Sequence, residues 1–450
     1  MAAPVPVPAH DAAPPALTVE RYDEDWSFLA DAQRRSGRWT EGFKYIPLNA
    51  SGSVYLSSGI EVRTRYEGFR APAWGAAPDT GYVWTRVMPY ADLHLGGIRL
   101  FAQPIAAHVL GRSAPPSPID RTGVDFLQAF GELELGVTED VSLSLSAGRQ
   151  LVSFGAGRLI DTRYGPNVPM AFDGIKARLD APRMRIVAFQ LRPVDTGPND
   201  FDDRTSGRRV LWGAYGTFWS SPSRKIGTDL YYIGFRDRRA VFGQGAAREL
   251  IHSFGARSFG QVGAMHWNVE GVLQTGSFGD APVKAWGIGI ELGRRFRSLP
   301  LRPDVSMLLD FASGDRNPGA KQLQTFNPLF PRGKYFGALS PIGPRNFIHL
   351  HHSAAFDAGR GLTLTLGASA FWRQSAHDGI YTISGDVVRR GGIGGDRFIG
   401  HEFEMAASWQ MTPELNLSAS VSAFAPGAFI KATGPARTTL MSASTISFRF

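Results

Sequence analysis

The stretch YLSSGIEVRTRYEG, residues 55–68, decides the fold. Ile60, Val62, Thr64 and Tyr66 alternate strictly with Glu61, Arg63, Arg65 and Glu67. A period of two is that of a β-strand with one apolar and one charged face. A sandwich buries its apolar face and wets the other. A face this charged, repeated along a whole chain, needs a different setting.

Outward from this stretch the alternation continues to the last residue. Candidate strands fall at 55–67, 82–95, 97–109, 125–137, 141–152, 172–180, 183–192, 209–219, 226–236, 249–258, 263–276, 283–295, 303–313, 345–356, 362–373, 398–410, 414–425 and 438–450, eighteen in all. Short links (Gly96-Gly97, Thr138 to Asp140, Ala181-Pro182, Asp357 to Gly361, Met411 to Pro413) alternate with long ones (68–81, 110–124, 153–171, 193–208, 314–344, 374–397, 426–437). The 277–282 link is short where a long one is expected, and 249–258 alternates poorly.

The faces of the other strands agree. Ala129, Leu133, Leu135 and Val137 oppose Gln128, Phe130, Glu132 and Glu134. Met265, Trp267, Val269 and Leu273 oppose His266, Asn268, Glu270 and Gln274, with a slip of parity near Gly271. Lipid-facing Arg or Lys costs about 2–4 kcal/mol at a bilayer midplane, so one face of each strand is apolar. Eighteen strands enclose a lumen too wide for side chains to fill, so the other face meets water. The fold class is therefore all-β: an 18-stranded antiparallel transmembrane β-barrel with short periplasmic turns and long extracellular loops. The chain ends STISFRF, with Ile446, Phe448 and Phe450 on one face, which resembles the closing strand of bacterial outer-membrane proteins.

Composition supports this reading. The 450 residues carry a formal charge of +8, with 52 glycines, 30 phenylalanines and no cysteine. That excludes disulfides, thiolate metal sites and a Cys nucleophile. No apolar run approaches the roughly 18 residues of a membrane helix. AAPVPVPAHDAAPP after Met1 lacks the basic start and apolar core of a signal peptide, so a mature form with an added Met is expected. Residues 1–19 read as a disordered tail, 20–48 as an N-terminal periplasmic segment that Trp26, Phe28 and Trp39 could anchor, and 49–450 as the barrel.

An ordered set of segments resembles the alginate-export family of outer-membrane barrels. They are RYDEDW from Arg21, KYIPL from Lys44, YLSSGIEVRTRYE from Tyr55, GRQ from Gly148, FGAGRLI from Phe154, Pro166-Asn167, FDG from Phe172, ASGDRNP from Ala312 and TFNPLFP from Thr325. The resemblance runs from about residue 20 to the end. It implies a monomeric eighteen-stranded barrel with an arginine-lined lumen, through which an anionic polyuronate leaves the cell.

Arg63 and Arg65 are expected to face the lumen, where the family has its inward arginines. By parity Arg86, Arg99, Lys176, Arg178 and Arg373 join them, and Arg149 and Arg158 lie in the GRQ and FGAGRLI matches. Parity alone puts Arg149 outward, so a bulge or rim position is required of it. Glu61, Glu67, Asp92, Glu132, Glu134, Asp180, Glu270, Glu291, Asp310, Glu402 and Glu404 also point inward. Two readings follow: a net electropositive constriction, or ion pairs that stiffen the wall. Loops 314–344 and 153–171 read either as a gate over the mouth or as ordered surface loops.

Other chemistry finds little support. His349 and His351 of HLHH share a face, but no carboxylate with convincing spacing completes a metal site. Asp315 and Asp396 lie in Gly-rich loops that do not follow the twelve-residue calcium pattern. There is no G-x-S-x-G, and the remaining histidines are scattered, so neither an enzyme nor a cofactor is expected. The expected partners are an anionic polysaccharide or carboxylate, outer-membrane lipid and periplasmic secretion proteins, with no nucleic acid. The leading function is export of an acidic exopolysaccharide such as alginate. The alternative is a substrate-specific uptake porin for small carboxylates or acidic oligosaccharides; a barrel enzyme or adhesin comes third.

Overall fold

The computed structural model describes residues 17–112, 114–334, 336–392 and 395–450, so the tail at 1–19 lies almost wholly outside the described residues. Eighteen long strands form the wall: β1 (Val54–Arg70), β2 (Thr80–Leu95), β3 (Ile98–Leu110), β4 (Thr122–Thr138), β5 (Val141–Leu151), β6 (Ala171–Ala181), β7 (Met184–Asp195), β8 (Arg209–Trp219), β9 (Ile226–Phe242), β10 (Gly245–Val262), β11 (Met265–Phe278), β12 (Ala281–Arg295), β13 (Asp304–Ala312), β14 (Phe347–Gly359), β15 (Leu362–Trp372), β16 (Phe398–Gln410), β17 (Leu415–Pro426) and β18 (Thr439–Arg449). Each pairs antiparallel with the next, and β18 returns to β1 from Glu61↔Arg449 to Arg70↔Leu440, which closes the barrel. Closure removes the free edges that make open sheets aggregate. Ile46–Pro47 and Arg204–Thr205 are two-residue additions to β1 and β7.

One rim carries turns such as 96–97, 139–140, 182–183, 263–264 and 360–361; the other carries the loops 152–170, 313–346 and 373–397. Two tight turns, 243–244 and 279–280, also sit on the loop rim. The segment 237–248, read from sequence as a connection, is the extended tip of the β9–β10 hairpin.

The two faces separate cleanly. Ile175, Leu230, Phe254, Leu273 and Val421 stand exposed on the outside, whereas Glu61, Gln128, Glu270 and Asp310 are buried within. An exposed apolar band over a whole barrel is a surface made for lipid. Inside, loop 313–346 folds down against the wall and sets Leu323, Phe326, Phe330 and Phe336 against Phe172, Phe235, Ile251 and Phe371. This packing corrects the expected parity slip. β11 pairs with β12 without a register shift, and Val272 faces inward because the loop covers it. Ile251 is apolar on the inward face of β10 for the same reason, which is why 249–258 alternates poorly.

The N-terminal segment runs through short helical turns from Arg21 to Lys44 at the turn rim. Tyr22 meets Phe101 and Phe130 edge-on at 6.0 and 5.5 Å. Trp26, Leu29 and Tyr45 form a second buried group. Trp39, 58% exposed, instead meets the terminal Phe450 at 5.0 Å, and Arg38 pairs with Glu414 at 2.5 Å.

Candidate functional site

The register of β1 and β2 sets Arg63 directly opposite Arg86. Two like charges in a cross-strand pair repel. Three neighbours offset this. Glu61 accepts from Arg86 Nη2 at 2.7 Å and Nε at 3.1 Å. The Pro166 carbonyl accepts from Arg63 Nη2 at 2.6 Å, and the Tyr164 carbonyl from Arg63 Nη1 and Arg86 Nη1 at 3.2 Å each. The Arg86 guanidinium also lies 4.0 Å from the centre of the Tyr164 ring. Asn167 completes the attachment, its Nδ2 donating to the carbonyls of Thr85, His108 and Asp120 at 3.1, 2.9 and 2.9 Å.

Loop 152–170 is therefore latched to the β1–β3 wall at one end. At its other end Arg158 reaches Glu270 on β11 at 3.2 Å and Asp310 on β13 at 3.4 Å. Strands β11 and β13 are far round the eighteen-strand ring from β1 and β2, so the loop crosses the lumen. A bridge between Ile160 and Phe330 joins it to loop 313–346, with Asp161 N donating to Phe330 O at 2.9 Å and Phe330 N to Leu159 O at 2.8 Å. This bridge holds the two loops against each other inside the barrel.

Beside the latch, Glu67 receives two cations: Arg65 Nε at 2.6 Å and Lys334 Nζ at 3.0 Å. Tyr82 Oη donates to its other oxygen at 2.7 Å. Burial pushes the Lys334 ammonium below its usual value, while the Glu67 carboxylate opposes the shift. Within the latch, Arg63, Arg65, Arg86 and Lys334 outnumber Glu61 and Glu67 by two positive charges, and further carboxylates follow only in the cavity beyond Lys334. Lys334 opens on a cavity of about 490 Å³, lined also by Thr18, Glu20, Asp23, Asp161 and Arg332.

The remaining expected positions scatter. Arg99 binds Asp92 at 2.6 Å and also donates to the Tyr22 carbonyl. Lys176 lies 5.5 Å from the Tyr22 ring. Arg178 pairs with Asp180 at 2.8 Å and lies 4.0 Å from buried Glu132. These groups surround the N-terminal segment at the turn rim, and Glu134 on the same face of β4 is exposed. Arg149 is not in the lumen. It shares strand parity with exposed Leu145 and pairs with Asp173 at 2.9 Å and Asp125 at 3.2 Å, near the loop rim where an outward charge costs little. Arg373 is not on the open wall either: fully buried, it donates to the carbonyls of Ala376 and Asp378 at 2.7 and 3.1 Å and stacks 3.7 Å from Phe429, tying loop 373–397 to 427–438. His349 and His351 both contact Ser369 Oγ, at 3.2 and 2.8 Å. Sequence reasoning missed Lys334, Tyr164 and Asn167 as contributors, although Pro166-Asn167 lay among the quoted matches.

With this geometry in hand, the chain can be set beside known proteins. A family model described as alginate export matches residues 54–443, all but the last few residues of the barrel.

The chain belongs to the alginate export family.

Solved structures agree on the fold. Pseudomonas aeruginosa OccK2 (OpdF) in complex with glucuronate superposes with a TM-score of 0.58 at 13% identity, covering 88% of this chain and 98% of that one. A BenF-like porin from Pseudomonas fluorescens Pf-5 gives 0.59 at 10% identity, with coverages of 88% and 98%. Comparison with curated protein sequences gives no match. This alginate export family member is thus a bacterial outer-membrane β-barrel channel, with its turn rim towards the periplasm and its loops outside. Its family and fold are those of channels rather than enzymes.

Proposed function

We propose that the channel passes an anionic, uronate-type saccharide, and that the leading process is export of an acidic exopolysaccharide. The charge excess on the β1–β2 wall carries this reading. A guanidinium stays charged at any working pH and matches a carboxylate with two parallel hydrogen bonds. Arg63 donates to carbonyls rather than to a carboxylate, and Glu61 and Glu67 are bonded to Arg86, Arg65 and Lys334 instead. Weak, repeated attraction of this kind suits conduction, which needs entry without capture. The family's description, alginate export, favours the outward direction. A polymer requires the internal loops to swing aside, so 152–170 and 313–346 are the gate in this reading. The segment 20–48 belongs to the periplasmic mouth, and the barrel works as a monomer alongside periplasmic partners.

Uptake of small uronates is the second reading. The cavity beside Lys334, at about 490 Å³, suits a small solute better than a chain. OccK2, of the same fold, was crystallised with glucuronate. Single-channel recording with added polyuronate and, separately, glucuronate distinguishes the two. Block by polymer alone supports export, and block by glucuronate alone supports uptake. No block by either, with cation preference, contradicts both.

A further inference from the structure

The outside of the barrel carries a feature that conduction does not use. Across β7 to β12, one register row sets Gln190 beside Trp212, Trp212 beside Gly234, Gly234 beside His252, His252 beside Thr275 and Thr275 beside Lys284. Gly234 is glycine because the Trp212 ring lies across it; a Cβ there would come within 2.3 Å of the ring. Tyr232 Oη lies 2.8 Å from His252 Nδ1. Aromatic rings with polar tips on the outer face mark the level where hydrocarbon gives way to headgroups.

Cations stand at and above this level. Arg192, Arg236, Arg248 and Lys284 share strand parity with the exposed Ala188, Leu230, Phe254 and Ile288, so all four point outward. None of them makes an ion pair among the described residues. Arg192 donates to the Ser206 carbonyl at 3.2 Å, and Asp173 on the same face is taken by Arg149 at 2.9 Å. The lumenal arginines, by contrast, mostly have carboxylates. Arg236, Arg248 and Lys284 have no carboxylate partner among the described residues, and Arg192 shares Asp173, directly opposite it on β6, with Arg149; this surplus of cations on one sector of a lipid-facing wall calls for an anion from outside the chain.

The surface below them is hollowed. Two grooves of about 920 and 1100 Å³ meet at Ala214 and Tyr232; the smaller crosses β7 to β12, and the larger runs the other way past Ala188, Ile175 and Leu145 to Ile98 on β3. Ala188, Ala214 and Gly216 form the floor, and Leu230, Phe254 and Leu273 stand up as walls. Small residues between large ones make furrows the width of an alkyl chain.

We infer that the β7–β12 face binds a phosphorylated, multiply acylated lipid of the outer leaflet, with its phosphates on Arg192, Arg236, Arg248 and Lys284 and its acyl chains in the two grooves. Guanidinium forks bind phosphate bidentately, and burial beside a headgroup layer strengthens that contact. The occupant is a lipid because the charge lies directly above the apolar furrows, and a single amphiphile satisfies both. This does not depend on which solute the lumen carries.

The test is native mass spectrometry of the full chain in detergent, with a bisphosphorylated hexa-acyl glucosamine disaccharide and its dephosphorylated twin as probes. The unmodified protein should retain the phosphorylated lipid about tenfold better. Combining Arg192→Gln, Arg236→Gln, Arg248→Gln and Lys284→Gln should abolish that preference, whereas Arg294→Gln with Arg295→Gln at the turn rim should leave it. Equal retention of the two lipids by the unmodified protein overturns the inference without any variant. So does full preference in a quadruple variant that keeps the heat-modifiable mobility of a folded barrel, or a dimer that occupies the face and excludes lipid.

Discussion

The Arg86 guanidinium lies between Glu61, at 2.7 Å, and the ring of Tyr164, whose centre is 4.0 Å away. One buried side chain thus joins the barrel wall to the loop that crosses the lumen. Arg86→Met breaks this joint and leaves Glu61 buried without its partner. Loss of one member of a buried pair costs about 3–5 kcal/mol. The variant should unfold at lower temperature and show larger, longer openings in single-channel recordings. Arg86→Lys keeps the charge but loses the fork and the stacking, so it should fall between the two. Unchanged conductance in Arg86→Met would separate the latch from gating.

The bridge between Ile160 and Phe330 gives a second, reversible handle. The chain has no cysteine, so a disulfide placed here is unique. Ile160→Cys with Phe330→Cys should lock the two loops together on oxidation and suppress polymer passage, and a reductant should restore it. Passage that is indifferent to redox state would mean the loops need not part.

Much of the wall was legible in the sequence, because lipid and water impose opposite demands on alternate residues. All eighteen strands are found where the alternation places them. The signal failed at Val272 and Ile251, whose inward side chains are apolar only because loop 313–346 packs on them. Lys334 and Tyr164 sit on irregular loops, where no periodicity says which way a side chain points. The latch itself is made largely of backbone carbonyls, which carry no sequence signature. Arg149 shows the converse. Its parity placed it outside, and Asp125 and Asp173 hold it there.

Docking of the N-terminal segment should depend on pH with a minimum near neutrality. Burial lowers Lys44 from 10.5 to about 7, so docking expels a proton and strengthens as pH rises from about 7 to 10.5. Burial, with Asp23 beside it, raises Glu20 from 4.5 to about 8, so docking takes up a proton and weakens as pH rises from 4.5 to about 8. Protease cleavage within residues 20–48 should therefore be fastest near pH 7 to 8. Lys44→Met should remove the alkaline recovery, and Glu20→Gln the acid one. A cleavage rate flat from pH 5 to 10 would show that neither group governs docking.

Lys334→Gln removes one of the two excess charges on the β1–β2 wall. Losing about 1 kcal/mol of attraction corresponds to roughly fivefold weaker block by an anionic saccharide, with greater effect at low salt. Glu67→Gln should act in the opposite sense by leaving Arg65 and Lys334 uncompensated. Equal block in both variants, measured by titration in the bilayer, would place the selective charge elsewhere.

The most direct test of the account is the reversal potential of the purified channel across a salt gradient, recorded for the native chain and for Lys334→Gln. The account predicts anion preference in the native channel and a shift towards cations in the variant. Cation preference in the native channel, unmoved by the substitution, would contradict it: the inward arginines would then be ties of the wall and nothing more.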